Sequence, residues 1–267
     1  SDKKISLSIS LSVEKMNNKQ RREGTIFENQ KQGLFKVYDS TNQILRYEFY
    51  NNNNLVYSGM YDSLNLKTGE WIFYNDKNQI VKKGSFFSNK KDKKWTYFYK
   101  NGQIQQQGAY KKGKPEGEWN WWYENEQLWR NEFYTNGKMN GVATEYDSLG
   151  KLITQGEYLY GLKEGEWFYE INDHKELGSY ISDMKSGKWE MTYLSSNKKM
   201  FTGEFLNDIP IGEHIYYHPN GNIKEVGKYE NGEKQGEWKK FDENGNILVT
   251  YLFKRGEEIK RDGYKIK

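Results

Sequence analysis

One tripeptide recurs four times, as Gly69-Glu70-Trp71, Gly117-Glu118-Trp119, Gly165-Glu166-Trp167 and Gly236-Glu237-Trp238, and its spacing constrains the fold more than any other feature. From Gly69 to Gly117 is 48 residues, and from Gly117 to Gly165 is 48 again. Lys93-Lys94-Trp95 and Gly141-Val142-Ala143 lie halfway as weaker copies, so the unit is 24 residues long. A chain with a fixed period grows by adding units, not by enlarging one core. With the first glycine as position 0, Trp71, Trp95, Trp119, Trp167, Trp189 and Trp238 all stand at +2, and His214 and Ala143 hold that place in two further units. Position +4 is large (Phe73, Tyr97, Trp121, Tyr169, Met191, Tyr216), and position +11 is Ile or Leu (Ile80, Ile104, Leu128, Leu152, Ile223, Ile247). A glycine and an aromatic follow: Gly84 and Phe86, Gly108 and Tyr110, Gly156 and Tyr158, Gly203 and Phe205, Gly227 and Tyr229. Tyr47, Phe49, Gly59 and Tyr61 read as a degraded earlier unit, and Gly33, Phe35, Tyr38 and Ile44 as the opening of another.

Short, aromatic-rich, alternating runs are strand-forming. Between them lie Asn101-Gly102, Asn136-Gly137, Asn220-Gly221, Asn231-Gly232 and Asn244-Gly245, and Asn-Gly suits the two-residue type I′ hairpin turn. No segment keeps an apolar period of 3.6. The expectation is an all-β chain, an elongated single-layer antiparallel meander of repeated β-hairpins. Strand side chains alternate, so the +2 tryptophan and the +4 ring share one face while the +1 Glu faces the other. The glycine before each aromatic leaves room for a ring from the next strand. The six +2 tryptophans, with Gly69, Gly117, Gly165 and Gly236, are therefore read as structural. At the start, Ile5, Leu7, Ile9, Leu11 and Val13 alternate with serines, which predicts a strand with one apolar face, either a cap or an edge offered to a partner's sheet. Lys15 to Glu23 reads as a polar linker, and 247–253 as an aliphatic strand before a charged tail. The expected organisation is 1–32 as capping strand and linker, 33–256 as the repeat array, and 257–267 as tail.

The run Gly108-Ala109-Tyr110-Lys111-Lys112-Gly113-Lys114-Pro115-Glu116-Gly117-Glu118-Trp119 resembles the MORN repeat, as do Gly156 to Trp167 and Gly227 to Trp238. The longer second half of the unit, with its Asn-Gly turn and its Ile or Leu at +11, is similar to the bacterial MORN variant of the YwqK-type antitoxin family. The resemblance covers about 33–256. It implies a single-layer β-sheet that serves interaction or scaffolding, sometimes at membranes, with no shared catalytic residue.

The chemistry that remains is sparse. With 41 basic and 37 acidic residues spread along the chain, the net charge of +4 lacks the clustered excess of a nucleic-acid binder. There is no cysteine, so disulfides, thiolate metal sites and thiol nucleophiles are excluded. His214 and His218 are four apart but flank a strand and lack the glutamate of a zinc-protease helix. Carboxylates recur periodically, whereas a catalytic pair should be singular. No enzyme activity, cofactor, metal or small-molecule substrate is expected. One unit departs from the rule: Trp121, Trp122 and Trp129, with Tyr123 and Tyr134, crowd around Trp119. Aromatic rings dominate interface energetics, so these five are the candidate partner-binding residues. The expected function is a non-catalytic scaffold for a protein partner. The Asn- and Lys-rich composition and the Ser1-Asp2 start further suggest an exported bacterial protein of the cell envelope, tethered by a lost lipid anchor. The alternatives are a cytoplasmic antitoxin or immunity protein that masks a toxin, and a glycan- or cell-wall-binding module.

Overall fold

In a computed structural model that describes residues 8–266, the chain is all-β. The described residues form 25 strands and a single 3-10 turn at Asn17–Lys19. They fall into two compact units, one of 8–129 with 134–137 and a second of 130–133 with 138–266. Within each, strands pair antiparallel with their sequence neighbours, as a hairpin meander requires. The 24-residue unit is one hairpin, for example Lys67–Tyr74 with Ile80–Phe87.

Two kinds of turn alternate. Asn136-Gly137 and Asn231-Gly232 are two-residue turns with both φ angles positive, as expected of type I′. Asn101-Gly102, Asn220-Gly221 and Asn244-Gly245 are not. They sit in five-residue turns where only the glycine has positive φ (90°, 90° and 88°). In the first of these the Gly102 amide donates to the Tyr99 carbonyl at 3.0 Å, and the Tyr99 amide donates to the Gln103 carbonyl at 2.9 Å. That pattern is a type I turn followed by a left-handed glycine. In other long turns an aspartate or asparagine at the first position organises the loop: Asp147 Oδ1 accepts from the Leu149 and Lys151 amides, both at 2.9 Å.

The repeated glycine at position 0 is a bulge inside a strand. Across Gln107–Ala109 the register jumps from Asn120 to Glu116, so Gly117, Glu118 and Trp119 together face Gly108. Gly69, Gly117, Gly165 and Gly236 take φ of 65–72°, which a residue without Cβ adopts freely. The +1 Glu side chains are exposed, as expected.

The ends differ from the expectation. Ile5 and Leu7 lie outside the described residues, and Ile9–Lys15 is a strand. The expected linker contains Arg21–Phe27, a strand that pairs with Ile9–Lys15. Its charges are neutralised locally: Arg22 lies 3.1 Å from Glu14 and 2.7 Å from the buried Glu48. The expected tail is a small hairpin, Glu257–Arg261 with Tyr264–Lys265.

Candidate functional site

Each +2 tryptophan occupies a slot built by three neighbours. Beneath it lies the glycine of the preceding strand. A Cβ on Gly84, Gly108, Gly156, Gly178 or Gly227 would stand 2.0–2.3 Å from the indole carbons. The room expected for a ring is therefore present, and only glycine provides it. Around the indole lie rings from both flanks. Phe86 meets Trp95 edge-on at 5.0 Å and Tyr110 meets Trp119 at 5.0 Å. In the second unit Tyr158–Trp167, Tyr180–Trp189 and Tyr229–Trp238 repeat this at 5.0–5.1 Å. On top of five of the six sits a lysine two residues before position 0, a place that Pro115 holds at Trp119. Lys67, Lys91, Lys163, Lys185 and Lys234 place Nζ 3.8–4.7 Å from the centroids of Trp71, Trp95, Trp167, Trp189 and Trp238. Burial holds the Lys163 ammonium below its ordinary pKa. The indoles end with at most 2% exposure. Trp95 and Trp119 Nε1 donate to the Ser85 and Ala109 carbonyls at 2.9 and 3.0 Å. A single layer thus buries a tryptophan without a second layer, by surrounding it with aromatic edges and a lysine stem.

His214 stands in the slot above Gly203, as its sequence position predicts, and its Nε2 donates to the Glu204 carbonyl at 3.0 Å. His218 Nε2 donates to the Phe241 carbonyl at 2.9 Å. Among the described residues, no group of three or more His, Asp or Glu side chains is placed to hold a metal ion.

The five candidate partner-binding residues belong to the first unit and divide among three places. Trp121 and Tyr134 join the tryptophan face, with rings 5.9 and 6.4 Å from Trp119. Trp122 alternates to the opposite face, and its carbonyl accepts from the Tyr99 hydroxyl at 2.7 Å. Tyr123 and Trp129 meet at the long-turn end, 5.8 Å apart. All five are half-buried. Trp122 also proves periodic, because position +5 is aromatic in Tyr74, Phe98, Tyr146, Tyr217 and Phe241 as well.

A different set of residues lines up across the opposite face. In the first unit Ser58, Ile72, Lys83, Thr96, Gln107 and Asn120 are paired in direct register from strand to strand. In the second, Thr144, Gln155, Phe168, Leu177, Glu190, Thr202, Ile215, Val226, Lys239 and Thr250 continue in the same manner. These rows occupy positions +3 and about +14 of the repeat, and their chemistry changes from unit to unit. Gln107 Nε2 donates to Thr96 Oγ1 at 3.0 Å. Around Ile72, Lys83, Thr96, Phe98, Ile104 and Gln107 the face is concave, with a volume of about 610 Å³. Sequence reasoning missed both the rows and the lysine caps. The signal was present in the fixed offsets, but residues that vary along a repeat do not announce themselves as a set.

Four segments, 91–112, 115–136, 210–231 and 234–255, match the MORN repeat variant. Each spans the strands around one long turn. Comparison with curated proteins returns no match. Among solved structures, a TcdB2–TccC3 crystal structure aligns with 92% of this chain and 16% of its own at 10% identity, with a TM-score of 0.20. A TcdB2–TccC3–Cdc42 structure aligns with 89% and 15% at 9% identity and a TM-score of 0.19. This chain thus spans under a fifth of the length of either, and scores this low do not indicate a shared fold. No helix among the described residues is long and apolar enough to cross a membrane.

Proposed function

We propose that the chain is a non-catalytic repeat scaffold that binds a protein partner along the row opposite the tryptophans. One observation carries this reading. The slot residues recur in most units, whereas the in-register row of Ser58, Ile72, Lys83, Thr96, Gln107 and Asn120 differs at every step, with Ser58 and Thr96 buried and the other four reaching the surface. Residues repeated for the fold hold the backbone, and residues varied on a fixed backbone carry specificity. Trp122 flanks this row on the same face and remains its best aromatic anchor. The exported, envelope-bound location belongs to the same proposal, and fractionation of the native cell tests it.

The direct test places a photo-crosslinking amino acid at Gln107 or, as a control, at Lys67 on the tryptophan face. In the native cell the Gln107 position should give one discrete protein adduct and the Lys67 position none. The Lys83→Glu/Gln107→Lys variant should lose that partner while keeping the wild-type melting temperature. Adducts from Lys67 alone, or undiminished binding by the variant, would contradict the reading. A glycan ligand is the second reading, favoured by the Phe98 ring beside Lys83 and Gln107 in the concave part of the face. Retention on an immobilised cell-wall glycan without any protein adduct would select it.

A further inference from the structure

The two ends of the strand series are treated differently. Glu257–Arg261 carries Glu257, Glu258, Lys260 and Arg261 in five residues, and the last described strand, Tyr264–Lys265, has two residues. Short length and dense charge are standard protections of a sheet edge. Ile9–Lys15 has neither. From Ser8 to Val13 it bears no charge, no proline and no glycine. Ile9, Leu11 and Val13 are 71%, 76% and 59% exposed, on one face of the strand.

The backbone of this strand is also half-used. Among the described residues it pairs only with Arg21–Phe27, in the register Ile9↔Phe27 through Lys15↔Arg21. The Glu28 amide donates to the Ser8 carbonyl, and the Met16 amide to the Gln20 carbonyl. Inward bonding therefore falls on the even-numbered residues, because bonded and non-bonded pairs alternate in an antiparallel ladder. The N–H and C=O groups of Ile9, Leu11 and Val13 point outward along the edge that no described strand covers.

From this arrangement we infer that the strand is a docking edge for a second copy of the chain, joined antiparallel about a two-fold axis at Leu11. That register sets Leu11 opposite Leu11 of the second copy and Ile9 opposite its Val13. Each of the three outward-facing residues then lies in a bonded pair, giving about six main-chain hydrogen bonds. The three apolar side chains of each copy meet on one face, and Ser10 meets Ser12. Within residues 8–14 no like charges face one another, since Glu14 falls opposite Ser8. A closed two-fold contact of this kind is self-complementary and ends the edge. It is small, so the dimer should be weak and concentration-dependent. This inference stands apart from the partner-binding row, which lies on a face and not at the edge.

Sedimentation velocity on the full chain over a concentration series tests it. The wild type should pass from monomer to dimer as concentration rises. Leu11→Lys, which puts two ammonium groups at the axis, should shift the midpoint upward at least tenfold with the melting temperature unchanged. Ile9→Lys and Val13→Glu should each weaken the dimer, and the double variant Ile9→Lys/Val13→Glu should restore it, because opposite charges then face each other across the axis. A monomer at every concentration overturns the inference, as does a dimer indifferent to Leu11→Lys. A double variant weaker than either single variant rejects the two-fold register.

Discussion

The slots at Trp119 and at Ala143 do the same structural work with opposite distributions of bulk. At Trp119 the large side chain rises from the strand after the short turn and the strand before it offers Gly108. In the Ala143 unit all three slot members change together. Ala143 stands where Trp119 does, Met139 where Pro115 does, and Glu132 where Gly108 does. Continuing the register Asn131↔Thr144 places Glu132 opposite Ala143. Glu132 is 4% exposed and lies 3.2 Å from Arg130 Nε, so its buried carboxylate has a cationic neighbour. Bulk between adjacent strands is thus supplied from either strand, by the indole over Gly108 in one slot and by the buried Glu132 side chain in the other.

Emptying a regular slot should have the largest effect. Trp119→Ala should cost about 3–5 kcal/mol, since nothing on Gly108 can expand into the space. In the irregular slot, Ala143→Trp should be destabilising while Glu132→Gly/Ala143→Trp should be tolerated, because the pair restores the regular arrangement. Denaturant melts with hydrogen exchange check both, and loss of protection should be strongest in the altered unit. A smaller effect is expected at the bulge. Gly117→Ala should cost about 1–2 kcal/mol, because φ is 71° there. Lys93 holds the equivalent place at φ 58°, so Lys93→Gly should stabilise by a comparable or smaller amount. Equal and opposite responses would tie the repeated glycine to backbone conformation alone.

The smallest effect concerns the slot that titrates. His214 is buried, and burial lowers its pKa from the ordinary 6.5. The unfolded chain then binds the proton more readily than the folded one. Stability from this group is complete above 6.5 and falls as pH drops toward the folded-state value. His214→Trp should remove that part of the acid sensitivity, which matched melting curves at two pH values would detect.

Much of this was legible in sequence because the slot repeats. The period, the hairpin unit, the shared face of the +2 and +4 rings and the room above Gly84 and Gly108 all follow from residues at fixed offsets. The bulge was not legible, since a glycine with positive φ reads the same whether it closes a turn or kinks a strand. Asn-Gly failed to distinguish two turn types for the same reason: Asn136 adopts positive φ and Asn101 does not. The strand Arg21–Phe27 was hidden by its charges, whose partners Glu14 and Glu48 lie on other strands. The in-register row opposite the tryptophans was hidden by its variety, and the five clustered aromatics suggested one patch where alternation divides them between faces.

Glycine and tryptophan on adjacent strands form one interlocking unit. A double-mutant cycle on Gly108 and Trp119 tests it most directly. With Trp119 present, the added methyl of Gly108→Ala would stand 2.0 Å from the indole and should cost about 1–3 kcal/mol. In the Trp119→Ala background the same change should cost little, giving a coupling energy of at least about 1 kcal/mol. Equal costs of Gly108→Ala in both backgrounds would show that the two residues do not interlock.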